Sequence, residues 1–154
     1  MKKFKSIKAV VIAGFLAIAM FATAQIGLSS GKNFEFKNGV EEWSEPISVN
    51  LKAYKGEASI PVSIRVKYGK KVILACHYLI EITNLSETKS AKFKVGTGYT
   101  DYKGNDVVES FSLKPKATVE GKIIYASGTK KPKGADDCIN YWSPSLQFFE
   151  TKIR

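Results

Sequence analysis

The chain has little of what most enzymes use for chemistry. Its 154 residues include a single histidine, His77, and only two cysteines, Cys76 and Cys138. Zinc sites normally take three or four Cys or His ligands, and serine hydrolases need a positioned histidine or lysine base. There is no G-x-S-x-G motif, and Gly96-Thr97-Gly98 lies inside an alternating strand pattern instead of before a helix. We therefore expect a non-enzymatic protein without a cofactor.

His77 directly follows Cys76, which suggests a cysteine nucleophile with a histidine base. On a β-strand, however, adjacent side chains point to opposite faces of the sheet. The two side chains should therefore not contact each other. We expect His77 to lie in the core or on the surface of a sheet.

No apolar run reaches the length of about 20 residues that crosses a bilayer. The first eight residues contain four lysines and no acidic residue, and residues 9–21 are apolar apart from one glycine. Ala22-Thr23-Ala24 follows, with small residues at the positions that signal peptidase recognises. We expect residues 1–24 to be a cleavable signal peptide, and residues 25–154 to be one secreted or periplasmic domain with no membrane span.

Export changes the charge balance and the state of the cysteines. Without the four signal-peptide lysines, 20 basic and 14 acidic residues remain, so the net charge falls from +10 to +6. This modest charge favours polyanions only weakly, and nucleic acid is not an expected partner outside the cytoplasm. In an oxidising compartment Cys76 and Cys138 should form a disulfide, which would close a loop of about 60 residues.

The mature part alternates apolar and polar residues with period two, as half-buried strands do. No segment shows a sustained helical period. The segment Val72–Thr83 is partly apolar on both faces and is the best candidate for a central strand. Strands are also expected at Ile47–Ala53, Ala58–Tyr68 and Ala91–Tyr99, and near Phe34–Lys37, Val107–Leu113, Val119–Tyr125 and Leu146–Ile153.

Short links rich in turn-forming residues separate these strands. They are Tyr68–Lys71, Asn84–Glu87, Lys103–Asp106 and Lys114–Lys116. About eight short strands with such links predict an all-β antiparallel β-sandwich. The architecture is immunoglobulin-like, but antibody-type domains also have a tryptophan after the first cysteine and a tyrosine two residues before the second. Here Trp43 and Trp142 lie outside the cysteine pair, and Asp136 precedes Cys138 by two.

The longest link, residues 127–143, is predicted as a loop and is the best candidate for partner binding. It has basic residues, then the acidic pair Asp136 and Asp137, then two aromatic residues. Long ordered loops are often functional, and lysines with aromatics suit an anionic glycan or a protein partner. The alternative is a solvated loop in which the tryptophan caps the core. The candidate binding residues are Lys130, Lys131, Lys133, Tyr141 and Trp142.

Acidic turns leave one alternative open. Oxygen-rich loops on β-sandwiches can bind calcium, although turns favour the same residue types. The calcium candidates are Asp101, Asn105, Asp106 and Glu109. The favoured function is an exported module that binds a protein or glycan partner, or that serves an envelope or extracellular assembly. The alternative is a calcium-dependent carbohydrate-binding module or a small secreted hydrolase that uses these acidic residues.

Overall fold

The computed structural model describes residue 34 and residues 42–126, 132–140 and 145–154. These residues form seven strands and one short helix. The elements are β1 (Ile47–Lys52), β2 (Ser59–Lys71), β3 (Cys76–Asn84), β4 (Ala91–Thr100), β5 (Asp106–Leu113), β6 (Thr118–Tyr125), α1 (Ala135–Asn140) and β7 (Gln147–Ile153). The predicted signal peptide and most of the predicted strand Phe34–Lys37 lie outside the described residues.

The strands form two antiparallel sheets, which confirms the all-β sandwich. One sheet has the order β1-β2-β3-β6 and the other β5-β4-β7. Strand β3 lies between β2 and β6, so the prediction of a central strand is confirmed for Cys76–Thr83. Consecutive strands cross between the sheets after β3, β5 and β6, and these crossovers bring residues distant in sequence to the same face.

The core lies between the two sheets, where the inward residues of each strand meet. Ile60, Val62, Ile64 and Val66 of β2 are fully buried and alternate with polar residues that face outward. The other sheet contributes Phe93, whose ring lies 5.7 Å, centroid to centroid, from those of Phe111 and Phe148. Buried side chains of both sheets form one continuous cluster. The period-two pattern therefore predicted the inward residues of β2 correctly. It also placed Leu74 on an inward strand face, which is wrong, because Leu74 is 54% exposed in the turn before β3.

Two predictions about the links are wrong. Residues Tyr68–Lys71 belong to β2, where Lys70 pairs with His77 across a bulge, and the chain turns at Val72–Ala75. Glycine and lysine can extend a strand when a partner strand lies alongside, and apolar residues can occupy a turn. The predicted loop 127–143 contains helix α1, which is too short at six residues to show a helical period.

Candidate functional site at the disulfide end

The two cysteines mark one end of the sandwich. Strand β3 begins there at Cys76, which pairs with Lys71 at the end of β2 and with Tyr125 at the end of β6. The link that contains α1 leaves the same end of β6. We call residues 70–76 and 132–140 the disulfide end.

The predicted disulfide is confirmed. Cys76 and Cys138 are bonded, with their Cα atoms 5.9 Å apart, and both residues are fully buried. The bond joins helix α1 to the central strand. A second link lies beside it, because the buried Tyr78 hydroxyl donates a hydrogen bond of 2.6 Å to the Cys138 carbonyl. Burial raises the pKa of Tyr78, so the hydroxyl remains a donor.

Helix α1 owes its position to contacts on both sides. A carboxylate oxygen of Asp137 in its first turn accepts a hydrogen bond from the Lys133 backbone N–H. Negative side chains in the first turn stabilise a helix through its dipole. The Lys133 carbonyl in turn accepts a hydrogen bond of 3.2 Å from Lys71 Nζ. The segment that directly precedes α1 is therefore hydrogen-bonded to the end of β2.

Of the five residues predicted to bind a partner, the structure describes one. Lys133 is exposed at the disulfide end, close to Lys71. The other four predicted residues, Lys130, Lys131, Tyr141 and Trp142, lie outside the described residues. Their role in binding therefore stays a prediction.

The β2–β3 turn exposes two aliphatic side chains that sequence reasoning missed. Val72 and Ala75 exchange backbone hydrogen bonds, which closes the turn. At its tip, Ile73 is 81% exposed and Leu74 is 54% exposed. The exposed Lys70 and Lys71 precede the turn. The tip belongs to an apolar run, and the period-two pattern therefore predicted a strand for both residues. The signal that could have indicated the turn is the run of four consecutive apolar residues between two alternating segments.

The single histidine lies on the sheet next to the disulfide. Cys76 is engaged in the bond to Cys138, while the half-buried His77 faces the other side of β3. Burial lowers the pKa of His77, and the charges of Lys70 and Lys122 lower it further. The lowered pKa favours the neutral imidazole. The half-buried position on β3 agrees with the predicted core or sheet-surface histidine.

The acidic turn between β4 and β5 uses one of its carboxylates to hold its own backbone. Asp101 Oδ1 accepts hydrogen bonds from the backbone N–H groups of Lys103 (2.8 Å) and Asn105 (2.9 Å). Asp101 Oδ2 accepts another, of 3.1 Å, from the Asn105 side chain. Among the described residues, no three His, Cys, Asp or Glu side chains come together as they would around a metal ion. Asp106 and Glu109 lie on β5 beyond this turn.

This turn should show a pH-dependent contribution to stability. The hydrogen bonds from Asn105, and those from the Lys103 and Gly104 backbone, hold the pKa of Asp101 below its ordinary value of 3.8. A depressed pKa stabilises the fold above the unfolded-state value and loses that effect as pH falls through the folded-state value. We expect wild type to have a higher thermal midpoint than Asp101→Asn at pH 6, and the difference to shrink as pH falls below the ordinary carboxyl pKa of 3.8 and through the lower folded-state pKa.

The same samples test the calcium alternative. If the turn binds calcium, adding 5 mM calcium should raise the thermal midpoint of wild type and should not raise that of Asp101→Asn. Equal midpoints with calcium and with chelator would remove that alternative. An offset between the two proteins that did not change with pH would contradict the assignment to the Asp101 carboxylate.

No family model, no curated protein and no solved structure matches the chain. In the part of the chain that the structure describes, no helix has the length and apolar character needed to cross a membrane.

Proposed function

We propose that this chain is an exported, non-enzymatic β-sandwich module that binds a protein partner through its disulfide end and serves an envelope or extracellular assembly. The observation that carries the proposal is the exposed aliphatic pair Ile73 and Leu74 at the tip of a closed turn. Hairpin tips normally carry Gly, Asn, Asp or Pro. The two aliphatic side chains there lie outside the core cluster, and they favour self-association unless another surface covers them.

The surroundings of the pair favour a protein with acidic residues around an apolar pocket. Apolar side chains near the centre of an interface and charged ones at its rim are the usual arrangement. Lys70, Lys71 and Lys133 supply the positive rim. The disulfide and the Tyr78 hydrogen bond hold the base of the turn and α1 together. A rigid surface loses less conformational entropy on binding than a mobile one.

Export is supported by two independent features. Residues 1–24 have the composition of a signal peptide. A disulfide between buried cysteines is typical of proteins that fold in an oxidising compartment. The intact mass of protein from the periplasm or medium should correspond to a chain that begins at Gln25, with two hydrogens lost to the disulfide.

The immunoglobulin-like form of the sandwich is part of the proposal. A division into sheets of four and three strands is shared with immunoglobulin constant-type domains. The order of the described strands differs, because β3, the third of them, pairs with β2, whereas the third strand of constant-type domains belongs to the opposite sheet from the second. The likeness supports the architecture and carries no argument about the partner.

The test places a photo-crosslinking residue at Ile73 and, as a control, at the exposed Thr88 near the opposite end of the sandwich. Irradiation in the producing cells should give one discrete protein adduct from position 73 and none from position 88. Adding Leu74→Ser to the position-73 protein should reduce the adduct. Because both aliphatic side chains are exposed, Ile73→Ser/Leu74→Ser should keep the thermal midpoint of wild type.

Two results would overturn the proposal. A lower midpoint for Ile73→Ser/Leu74→Ser would show that the pair belongs to the core. Co-sedimentation of wild type, and not of this variant, with phosphatidylglycerol vesicles would show that the turn inserts into a membrane instead of a protein pocket.

A further inference from the structure

A second surface lies at the other end of the sandwich, on the outer face of the sheet β5-β4-β7. Its basic side chains come from β4 and β7 and from residues that directly follow β5 and β7. The cations gather around two shallow depressions of about 330 and about 110 Å³. We call this set the basic face: Lys92, Lys94, Lys114, Lys152 and Arg154.

The charges on the basic face are largely uncompensated. Lys92 of β4 lies directly opposite Lys152 of β7. Like charges directly opposite each other on neighbouring strands destabilise a sheet. Among the described residues, only Lys94 of the five cations has an ion-pair partner, Glu150, at 2.8 Å. An arrangement that weakens the fold and concentrates positive charge indicates a binding role for an anion.

Hydroxyl groups on β5 lie beside the cations of β4. Ser110 pairs with Lys94 and Ser112 pairs with Lys92 across the β4–β5 ladder. Neighbouring strands lie about 4.8 Å apart, and residues on one face of a strand repeat about every 6.8 Å. The basic face therefore presents a grid of cations and hydroxyls over which an extended, regularly charged polymer could make repeated contacts.

A larger cleft adjoins the basic face across β7. It has a volume of about 520 Å³, and it shares Glu150 and Lys152 with the depression on the sheet. Its wall includes Tyr54, which is 39% exposed. The Tyr54 backbone N–H donates a hydrogen bond of 2.8 Å to the Thr151 carbonyl, which fixes the Tyr54 backbone against β7.

The backbone of β7 shapes the boundary between these two sites. The β4–β7 register shifts between Lys92 and Lys94, and Glu150 has a left-handed φ of 52°. Bulges re-aim side chains at sheet edges. Here the Glu150 carboxylate meets Lys94, while Lys152 remains without an ion-pair partner among the described residues. The hydrogen bond and charge of Lys94 lower the pKa of Glu150, so this pair stays ionised.

We propose that the basic face and the Tyr54 cleft together bind an anionic polysaccharide. Carboxylate or sulfate groups contact the lysines, the serine hydroxyls hydrogen-bond the sugar, and a sugar ring stacks on Tyr54. The mixture of cations, hydroxyls and one aromatic in a cleft suits a glycan better than a bilayer, since none of the described residues that line these sites is a largely exposed aliphatic side chain. This site lies at the opposite end from Ile73 and is independent of the protein partner proposed there.

The charge test compares variants with equal loss of charge on opposite faces. Lys92→Gln/Lys152→Gln removes the opposed pair, and Lys67→Gln/Lys122→Gln removes two lysines from the outer face of the other sheet. Calorimetric titration with polygalacturonate, with dextran sulfate and with neutral dextran measures binding. We expect the first variant to bind the acidic polymers at least about tenfold more weakly, with a shallower salt dependence, and the second to stay within about twofold of wild type. Neutral dextran should not bind.

The ring test separates a glycan from other polyanions. Tyr54→Ala should weaken binding of polygalacturonate about fivefold, whereas Tyr54→Phe should not, because the ring supplies the contact. The matched control is Tyr102→Ala, since Tyr102 is 91% exposed in the β4–β5 turn, beyond the end of β4 that is remote from Lys92. Removing the like-charge pair should raise the thermal midpoint of Lys92→Gln/Lys152→Gln, so weaker binding by that variant would not reflect unfolding.

Three outcomes would overturn the proposal. Equal loss of binding in the two double-lysine variants would show that net charge alone attracts the polymer. Equal binding by Tyr54→Ala and wild type would show that the glycan does not contact the Tyr54 cleft. Binding to phosphatidylglycerol vesicles that is lost in Lys92→Gln/Lys152→Gln, without binding to the acidic polysaccharides, would identify the basic face as a membrane-docking surface. The Ile73 adduct should persist in all these variants, which separates failure here from failure of the protein-binding proposal.

Discussion

Replacing Cys76 and Cys138 together with alanine should lower the free energy of unfolding by about 2–5 kcal/mol. The cysteines are separated by 62 residues, so the bond restricts a large part of the unfolded chain. It also joins helix α1 to β3, and six residues cannot form a stable helix without tertiary support. Urea unfolding followed by far-ultraviolet circular dichroism measures the change. The urea midpoint should fall, and any change in the m-value should reflect only the more expanded unfolded state of the variant.

A reductant provides the control for this prediction. Wild type with dithiothreitol should lose a similar amount of stability, and the double-alanine variant should not respond to the reagent. The Tyr78 hydroxyl should still connect β3 to Cys138 or its replacement, since the acceptor is a backbone carbonyl. Wild type with the same midpoint in reducing and oxidising buffer would contradict a stabilising role for the bond.

Gly121→Ala should lower the free energy of unfolding by about 1–2 kcal/mol, although alanine usually stabilises a chain relative to glycine. Gly121 lies on β6 opposite Ile80. A Cβ atom there would lie 2.5 Å from Cζ and 2.8 Å from Cε1 of Phe111. The Phe111 ring is 6% exposed and stacks on Phe93, so it has little room to retreat. Overpacking costs about 1–3 kcal/mol, which outweighs the gain of about 0.4–1 kcal/mol from the stiffer unfolded chain.

Gly134→Ala is the matched control, because nothing lies within 4 Å of the Cβ position at Gly134. It should leave the urea midpoint unchanged or raise it slightly. Phe111→Leu should relieve the clash, so the double variant Gly121→Ala/Phe111→Leu should be less destabilised than the sum of the two single variants. Strict additivity would show that the methyl group and the ring do not meet.

Much of the β-sandwich could be predicted from local pattern. The alternation through Ile60, Val62 and Ile64 identified the inward face of β2, because strand side chains alternate strictly between faces. The cysteine pair was predictable because an exported chain with two cysteines has one simple pairing. The turns at Lys103–Asp106 and Lys114–Lys116 followed from turn-forming residues, and Lys116 has the left-handed φ of 57° that such links often need.

The candidate surfaces were much less predictable. Ile73 and Leu74 read as strand residues because an apolar run has the same composition whether it is paired or forms a turn. Asp101 was a calcium candidate because turns and metal sites use the same carboxylates. Only the hydrogen bonds that it accepts from the Lys103 and Asn105 backbone show that it holds the turn together. Residues 127–143 were selected for their composition, and Lys133 is the one candidate that the structure describes.

By itself, the sequence determined the all-β class, the inward residues of most strands and the cysteine pair, since each depends on period or on residue count. Tertiary structure alone decided which distant residues meet. Lys92 and Lys152 are 60 positions apart, and they become neighbours because β7 crosses to pair with β4. Gly121 meets Phe111 because two strands of different sheets pack face to face. Strand pairing across a sandwich is set by the whole core, and no local pattern encodes it.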